Sequence, residues 1–364
     1  MDRRNFIKKV GVGAAGLAAA GALGHSKALA KKGKRFNWKM TTCFPPKYPI
    51  IQPACERFAK RVGIMSDGQL KIQVFGAGEL IPAMETFEAV RQGTAIKVGG
   101  SASYYWSGKI PEASFFAAFP FGFTARETYA WLFHGGGLKL WRDLYGEYNL
   151  VPFPFLNTGV QMGGWFRKEI NSISDLKGLK MRVPGLGGKV YAKAGVNVVL
   201  LPIAEIYPAL ERGVIDACEW ATPFLDIRSG FHRVAKYYYY PGWQEPGTNA
   251  EIIINKKAWE SLPQHLQVIV ETAAHESIIW STAEFDTRNA EALNKIISEK
   301  KVEMRKFPDD VLKLLKKISI ETMAEEAAKN SRYKKIYESA KNFQKKITSW
   351  SKIGEQAIYH AASL

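Results

Sequence analysis

The sequence predicts an α/β fold of two related lobes facing each other across a cleft. Three features predict it: strand–helix–strand units in both halves, a helix–glycine–strand passage that occurs twice, and a helical run long enough to cross both lobes. The repeated passage reads Phe87-Glu88-Ala89-Val90-Arg91-Gln92-Gly93-Thr94-Ala95-Ile96 in the first half and Tyr207-Pro208-Ala209-Leu210-Glu211-Arg212-Gly213-Val214-Ile215-Asp216 in the second. Each has a helix, a glycine stop and a short apolar strand.

Taken in order, residues 36–44 alternate like a strand and stop at Pro45-Pro46, after which a helix is expected. Gln69 to Phe75 alternates again. A helix from Ala83 to Gln92 should end at Gly93, the residue type that enters the left-handed conformation of a helix C-terminus without steric cost, before a strand over Thr94 to Val98. In the second half, Ser174-Asp175-Leu176-Lys177-Gly178 leads into a strand over Leu179 to Val183. A helix from Ile206 to Arg212 then ends at Gly213 before a strand over Val214 to Cys218. Ser261-Leu262-Pro263-Gln264 has the form of a capping box, and past it no glycine or proline occurs until after Lys306. As one helix this run would measure roughly 50 Å, enough for a spine across both lobes. Finally Tyr333, Ile336, Ala340, Phe343, Ile347 and Trp350 form an apolar seam on a terminal helix. Packing onto the protein's own body is the expected role, with exchange between subunits as the sharper alternative.

Asp2-Arg3-Arg4-Asn5-Phe6-Ile7-Lys8, a weakly apolar Gly/Ala stretch from Val10 to Gly24, and Ala28-Leu29-Ala30 together read as a twin-arginine export signal cleaved after Ala30. The stretch falls short of the roughly 20 apolar residues that a membrane span needs. Cleavage of 364 residues there would leave 334, enough for about two domains. The formal charge is +17, and loss of the five signal cations and Asp2 would lower it to +13. That surplus sits in Lys31-Lys32-Gly33-Lys34-Arg35 and in Lys/Glu-rich helices, where solvated charge is the ordinary explanation, so nucleic acid is not the expected partner. A basic surface suits small anions instead. Cys43, Cys55 and Cys218 match no zinc spacing. A Cys43–Cys55 bridge is conceivable in an oxidising compartment, with Cys218 a buried small hydrophobe.

Catalytic machinery finds little support. His275-Glu276-Ser277-Ile278-Ile279 begins like a zinc-protease helix but has Ile279 where the second histidine must stand, and Gly185-Leu186-Gly187-Gly188-Lys189 lacks the hydroxyl residue that follows a phosphate-loop lysine. There is no Gly-x-Ser-x-Gly elbow, and no haem, flavin or iron–sulfur pattern to support an exported metal or redox enzyme. What remains suits binding. Arg182 sits on an apolar strand, where a planar guanidinium either grips a small carboxylate in two hydrogen bonds or meets an internal Asp or Glu. Glu219-Trp220 follows a strand, at the edge where open α/β sheets bind ligands, and Glu245 lies in the stiff loop Pro241-Gly242-Trp243-Gln244-Glu245-Pro246-Gly247. Two carboxylates with neutral oxygens and no His/Cys set suit a hard cation such as sodium or calcium.

The ordered segments Asn157-Thr158-Gly159-Val160-Gln161-Met162-Gly163-Gly164-Trp165-Phe166-Arg167-Lys168-Glu169-Ile170, Leu176 to Gly185, Glu219-Trp220 and Tyr237-Tyr238-Tyr239-Tyr240-Pro241-Gly242-Trp243 resemble solute receptors of tripartite ATP-independent periplasmic (TRAP) transporters. Within them they are most similar to the 2-oxo acid and lactate branch, and Ser101-Ala102-Ser103-Tyr104-Tyr105-Trp106 fits the same branch. The resemblance implies a two-lobed periplasmic solute-binding protein with mixed sheets and a central cleft, working with inner-membrane permease subunits and carrying out no catalysis. It implies that Arg182 clamps the carboxylate of a small monocarboxylate such as pyruvate or lactate, and that Gln161 lies beside substrate and metal. Glu219, the Trp220 carbonyl and Glu245 would hold sodium or calcium, with Asn157 and Tyr104 as further cleft residues. It also implies a possible homodimer through an exchanged C-terminal helix.

The implied division is a signal over 1–30, a first lobe of 36–155 with about 247–262, a second lobe of 156–246 with the spine helix at 263–300, and a C-terminal helical region over 308–364. Arg182 and a calcium ion would balance two glutamates and one monocarboxylate, whereas sodium would leave one negative charge for backbone dipoles to offset. Trp106, Phe115, Phe116, Trp165 and Trp220 are candidates to line a small dry pocket.

Overall fold

The structure, a computed structural model, describes residues 34–364; the expected signal and its cleavage site lie outside the described residues. Strand β1 (Phe36–Thr42) pairs in parallel with β2 (Leu70–Phe75), reached through helix α1 (Ile51–Met65), and with β3 (Val98–Ser101), reached through helix α2 (Thr86–Gln92). Gly93 stops α2 at φ +63°, the left-handed conformation the sequence called for. Two helices follow, α3 (Ala125–His134), opened by a Thr124/Glu127 capping box, and α4 (Gly137–Gly146), which packs on β4 (Leu150–Asn157). The first sheet is completed only by a distant strand, β10 (Asn249–Asn255), inserted antiparallel between β3 and β4. Its order is β2-β1-β3-β10-β4.

The second sheet repeats the plan. Strands β6 (Lys180–Arg182), β7 (Asn197–Val199) and β8 (Ala217–Cys218) run parallel, linked by helices α5 (Gly185–Lys193) and α6 (Ile203–Glu211). Antiparallel to them lies β5 (Gly164–Phe166), which pairs on its other side with β9 (Tyr237–Tyr240). Read from β7, the order β7-β6-β8-β5-β9 matches β2-β1-β3-β10-β4 strand for strand, with β11 (Glu303–Lys306) added in parallel beyond β9. The chain exchanges strands between the sheets: β4 of the first runs on into β5 of the second, and β9 of the second runs on into β10 of the first.

Both expected strands after the glycine stops begin later than their apolar residues suggest. Val214 and Ile215 turn their amides onto the Ala209 carbonyl at the end of α6, at 2.9 and 3.3 Å, so only Ala217 and Cys218 reach the ladder. In the first sheet Lys97 folds its ammonium back onto the carbonyls of Gly93 and Thr94, and pairing starts at Val98. That strand contains Gly99 and Gly100, which conceal it from β-propensity but are required by packing: a Cβ on Gly100 would stand 2.9 Å from Met40 Cε and 3.0 Å from Cys55 Sγ.

The expected capping box at Ser261 does not form. Ser261 closes the short helix α8 (Lys256–Glu260), donating its hydroxyl to the Ala258 carbonyl, and the long helix α9 (Gln264–Glu299) begins behind Pro263. Its 36 residues span about 54 Å. It packs on α1 and β4 at one end and on α7 (Pro223–Arg228) at the other, as a spine should. Glu276, from the protease-like string, pairs with Arg57 and Arg61 of α1, and Lys189, from the glycine-rich string, pairs with Glu326; both motifs serve structure.

Helix α10 (Asp309–Lys329) lies against α5, tied by Lys189–Glu326 and Lys193–Glu325, while α11 (Ser331–Ile353) returns to the first lobe. There Tyr333, Ile336 and Ala340 are buried against a cluster containing Phe115, Phe123 and Trp131, with Phe343 and Ile347 at its margin. The seam thus packs on its own body up to Ile347; Trp350 is 55% exposed, and helix α12 (Glu355–Ala362) buries no residue. Cys43, Cys55 and Cys218 are buried free thiols, so the conceivable bridge is not formed. Among the described residues no helix is long and apolar enough to cross a membrane.

Candidate functional site

Arg182 ends β6 with a guanidinium that is 1% exposed. Its Nη1 donates to the Glu219 carbonyl at 2.6 Å and its Nε to the Leu201 carbonyl at 3.3 Å, while Nη2 takes part in neither bond. The indole of Trp220 lies beneath it, 5.2 Å from the guanidinium carbon to the ring centre. The nearest carboxylate oxygen, Glu219 Oε2, is 3.7 Å away, so the internal partner is close without forming a bidentate pair.

Glu219 follows directly on β8, which pairs with β6, and its amide bonds to the Arg182 carbonyl at 2.9 Å. Both of its carboxylate oxygens are buried and have no hydrogen-bond partner. Burial, and then the charge of Glu245, hold this carboxyl well above its ordinary range against the opposing pull of Arg182. Glu245 is also buried and is pushed up to about 7, with burial the main cause and the Thr248 hydroxyl and Arg182 working against it. Two carboxylates this dry and this close favour a bound cation, which would remove the repulsion that raises them.

Gln161 lies in the crossing between β4 and β5, and its surroundings fix its orientation. Thr158 gives its hydroxyl proton to the Gly159 carbonyl and Thr248 gives its own to Glu245, so both hydroxyls can only accept from Gln161 Nε2, at 3.1 and 2.9 Å. This leaves Gln161 Oε1 buried without a partner. Gln244 is in the same condition: its Nε2 donates to the Met162 carbonyl at 2.8 Å and its Oε1 is orphaned. Asn157, at the end of β4, accepts from the Gly159 amide at 2.9 Å and leaves its Nδ2 buried and unpaired. Tyr104, in the short helix Ser103–Trp106 after β3, is buried within reach of the charges of Glu245, Glu219 and Arg182; burial above all keeps its phenol protonated. The orphaned oxygens of Glu219, Gln161 and Gln244 fit a hard cation, and the unpaired Asn157 donor suits an anionic ligand. No group of three or more His, Cys, Asp or Glu gathers to hold a metal among the described residues, so a cation must draw on these neutral oxygens as well.

Four of the five aromatic candidates belong to the core. Phe116 stacks between Trp131 and Trp141, and Phe115 packs on Phe119 and Tyr333. Trp106 donates to Glu251 at 2.9 Å, and Trp165 donates to Asp226 at 3.0 Å. Only Trp220 reaches the site. Thr158, Thr248 and Gln244 were not singled out in the sequence, because threonine and glutamine in polar loops carry no pattern; their nearness to Asn157 and Glu245 is the one signal available. A groove of about 820 Å³ between α10, α11 and residues 119–124 and 241–246 includes none of Arg182, Glu219 or Glu245.

Comparison with known proteins gives the family. Residues 40–330 match the model of DctP, the bacterial extracellular solute-binding protein family 7. The chain belongs to the DctP family. Members are solute receptors and not enzymes. This DctP protein is 40% identical over 364 residues, covering 100% of it and 99% of the relative, to a monocarboxylate 2-oxoacid-binding periplasmic protein of Nostoc sp. strain PCC 7120. It superposes with a TM-score of 0.87 and 43% identity on a TRAP periplasmic solute-binding protein from Pseudoalteromonas atlantica T6c with bound sodium and pyruvate, over 90% of this chain and 99% of that one. A second such protein, from Colwellia psychrerythraea with bound calcium and pyruvate, gives 0.88 and 40%, over 90% and 100%. The two-lobed α/β receptor fold expected from the sequence is therefore the fold of this family.

Proposed function

We propose that this DctP protein captures a small 2-oxo monocarboxylate, with pyruvate as the reference compound, together with one sodium or calcium ion, and presents it to TRAP permease subunits of the inner membrane. The observation that carries this reading is the cluster of buried, unpartnered oxygens on Glu219, Gln161 and Gln244 beside a buried arginine. Arg182 grips the carboxylate through its remaining donor edge, with Trp220 stacked behind it, while Asn157 and Tyr104 line the cleft. Glu219, Glu245, Gln161 and the Trp220 carbonyl hold the cation, whose charge lets both glutamates stay ionised; lactate, a 2-hydroxy acid, is the nearest competitor. The lobes, 36–155 with about 247–262 and 156–246, close on the ligand about the crossings that join β4 to β5 and β9 to β10. Export is by the twin-arginine route with cleavage after Ala30, since Arg3-Arg4 and Ala28-Leu29-Ala30 have the required spacing. The exposed Trp350, Ile353, Ile358 and Tyr359 form the contact of a homodimer made through the C-terminal helix.

Calorimetry of the cleaved protein, unfolded and refolded to strip bound solute, tests this against pyruvate with sodium, calcium or a chelator present. Binding that requires a metal is the expected result and names the ion. Binding that persists in chelator removes the cation from the reading. No binding of pyruvate or lactate removes the 2-oxo acid assignment and turns the search to larger organic acids.

A further inference from the structure

Tyr48 stands on the first lobe, in the turn Pro45-Pro46-Lys47-Tyr48-Pro49-Ile50 between β1 and α1, yet its hydroxyl bonds only to the second lobe. The indole Nε1 of Trp220 lies 2.7 Å from it and the Ser229 hydroxyl 2.9 Å from it. The direction of every proton is fixed by chemistry. An indole nitrogen only donates, so Trp220 gives its proton to the Tyr48 oxygen. Ser229 gives its own proton to the Leu225 carbonyl at 2.9 Å, so it must accept from Tyr48. The result is a chain in one sense from Trp220 through Tyr48 and Ser229 to the last turn of α7. The two rings meet edge to face at 5.9 Å and 84°, and the same indole carries the Arg182 guanidinium over its ring. The turn itself is held rigidly: the Tyr48 amide bonds to the Pro45 carbonyl, its carbonyl accepts from Gln52, and Ile50 is locked at φ +60°, rare for a β-branched residue.

We infer that Tyr48 is a positioning residue for ligand capture: by bridging Trp220 and Ser229 across the cleft it holds the closed lobes together and fixes the indole that supports the Arg182 clamp. This rests on the receptor reading proposed above and adds to it a residue outside the expected ligand set. Tyr48 touches neither Arg182 nor the glutamates, so it acts on the lifetime of the closed form and not on encounter. Loss of its two hydrogen bonds should speed release by about tenfold and leave association unchanged.

Stopped-flow measurement of pyruvate release in calcium, on wild type, Tyr48→Phe, Ser229→Ala and the double variant, tests this. Tyr48→Phe keeps the ring and should release about tenfold faster with an unchanged association rate. Ser229→Ala should release faster than wild type by a smaller factor, and the double variant no faster than Tyr48→Phe, because the serine acts through the tyrosine. Equal release from wild type and Tyr48→Phe overturns the inference, as does a slowed association. If wild type binds no pyruvate, the receptor reading fails separately, and the lobe-to-lobe distance decides the present point. Spin labels at Lys71→Cys and Ala192→Cys, both exposed where the native thiols are buried, should move further apart in Tyr48→Phe; an identical distance distribution overturns the latch.

Discussion

Arg182 owes its immobility to backbone: two carbonyls, Glu219 and Leu201, and the Trp220 face hold it before any ligand arrives. Such a group gains affinity because little conformational freedom is lost on binding. Arg182→Ala should therefore weaken pyruvate binding by at least about a hundredfold, since a charge-assisted pair is lost and a buried carboxylate is left without its partner. The melting temperature of the ligand-free protein checks that the fold survives; unchanged affinity would remove the clamp from Arg182. Glu251, on β10 between Ser101 and Trp106, is a separate case. It is fully buried, accepts from both at 2.7 and 2.9 Å, and is pushed by burial from an ordinary 4.5 up to about 7. Between those values the folded chain keeps a proton that the unfolded chain has released, so stability falls as pH rises through this window and stays lowered above it. Glu251→Gln cannot ionise, so its melting temperature should gain on wild type by several degrees between pH 5 and pH 8. A gap that is the same at both pH values would show that Glu251 does not titrate there.

At the scale of elements, the site depends on two crossings that lie against each other. The Gly242 amide donates to the Gln161 carbonyl at 3.1 Å, and a Cβ on Gly242 would fall 2.2 Å from that same oxygen. Gly242→Ala must displace the segment that carries Gln161, so it should cost about 1–3 kcal/mol in stability and weaken cation binding more than it weakens folding. Calcium titration beside a melting curve separates the two effects. This crossing was legible only in outline. Helix ends at Gly93 and Gly213 could be read directly, because a glycine there answers a local steric need. Arg182, Glu219 and Glu245 were legible as charges in apolar or stiffened settings. Strand β3 was hidden by its own glycines, since what selects Gly99 and Gly100 is the space left by Met40, Cys55 and Ile253 and not a backbone preference. Thr158, Thr248 and Tyr48 were hidden for a related reason: each has its role through residues far away in sequence, and no periodicity marks a contact across a cleft.

For the whole molecule, the C-terminal region divides into a part that packs and a part that does not. Tyr333, Ile336 and Ala340 close the first lobe, whereas Trp350, Ile353, Ile358 and Tyr359 stand between 55% and 74% exposed. Removing residues 349–364 should therefore abolish the proposed self-association in sedimentation equilibrium and leave pyruvate affinity within about twofold, the scatter expected of a distant surface change. Removal from Ser331 onward should instead expose the aromatic cluster around Phe115 and Trp131 and lower the melting temperature sharply.

The strand exchange also dictates an order of assembly. Four strands of the first sheet are complete once the ribosome has passed Asn157, but β4 has no ladder partner until β10 arrives at Asn249–Asn255 to lie between it and β3. The second sheet, begun later, has its central strands by Tyr240. The first sheet is therefore sealed only after the central strands of the second exist, and the second in turn waits for β11 at Glu303–Lys306, so most of the chain must be synthesised before either half is complete, which makes folding dependent on long-range pairing. A chain built this way holds an unpaired strand edge through much of its synthesis, the kind of edge that invites pairing with another chain until the late strand covers it.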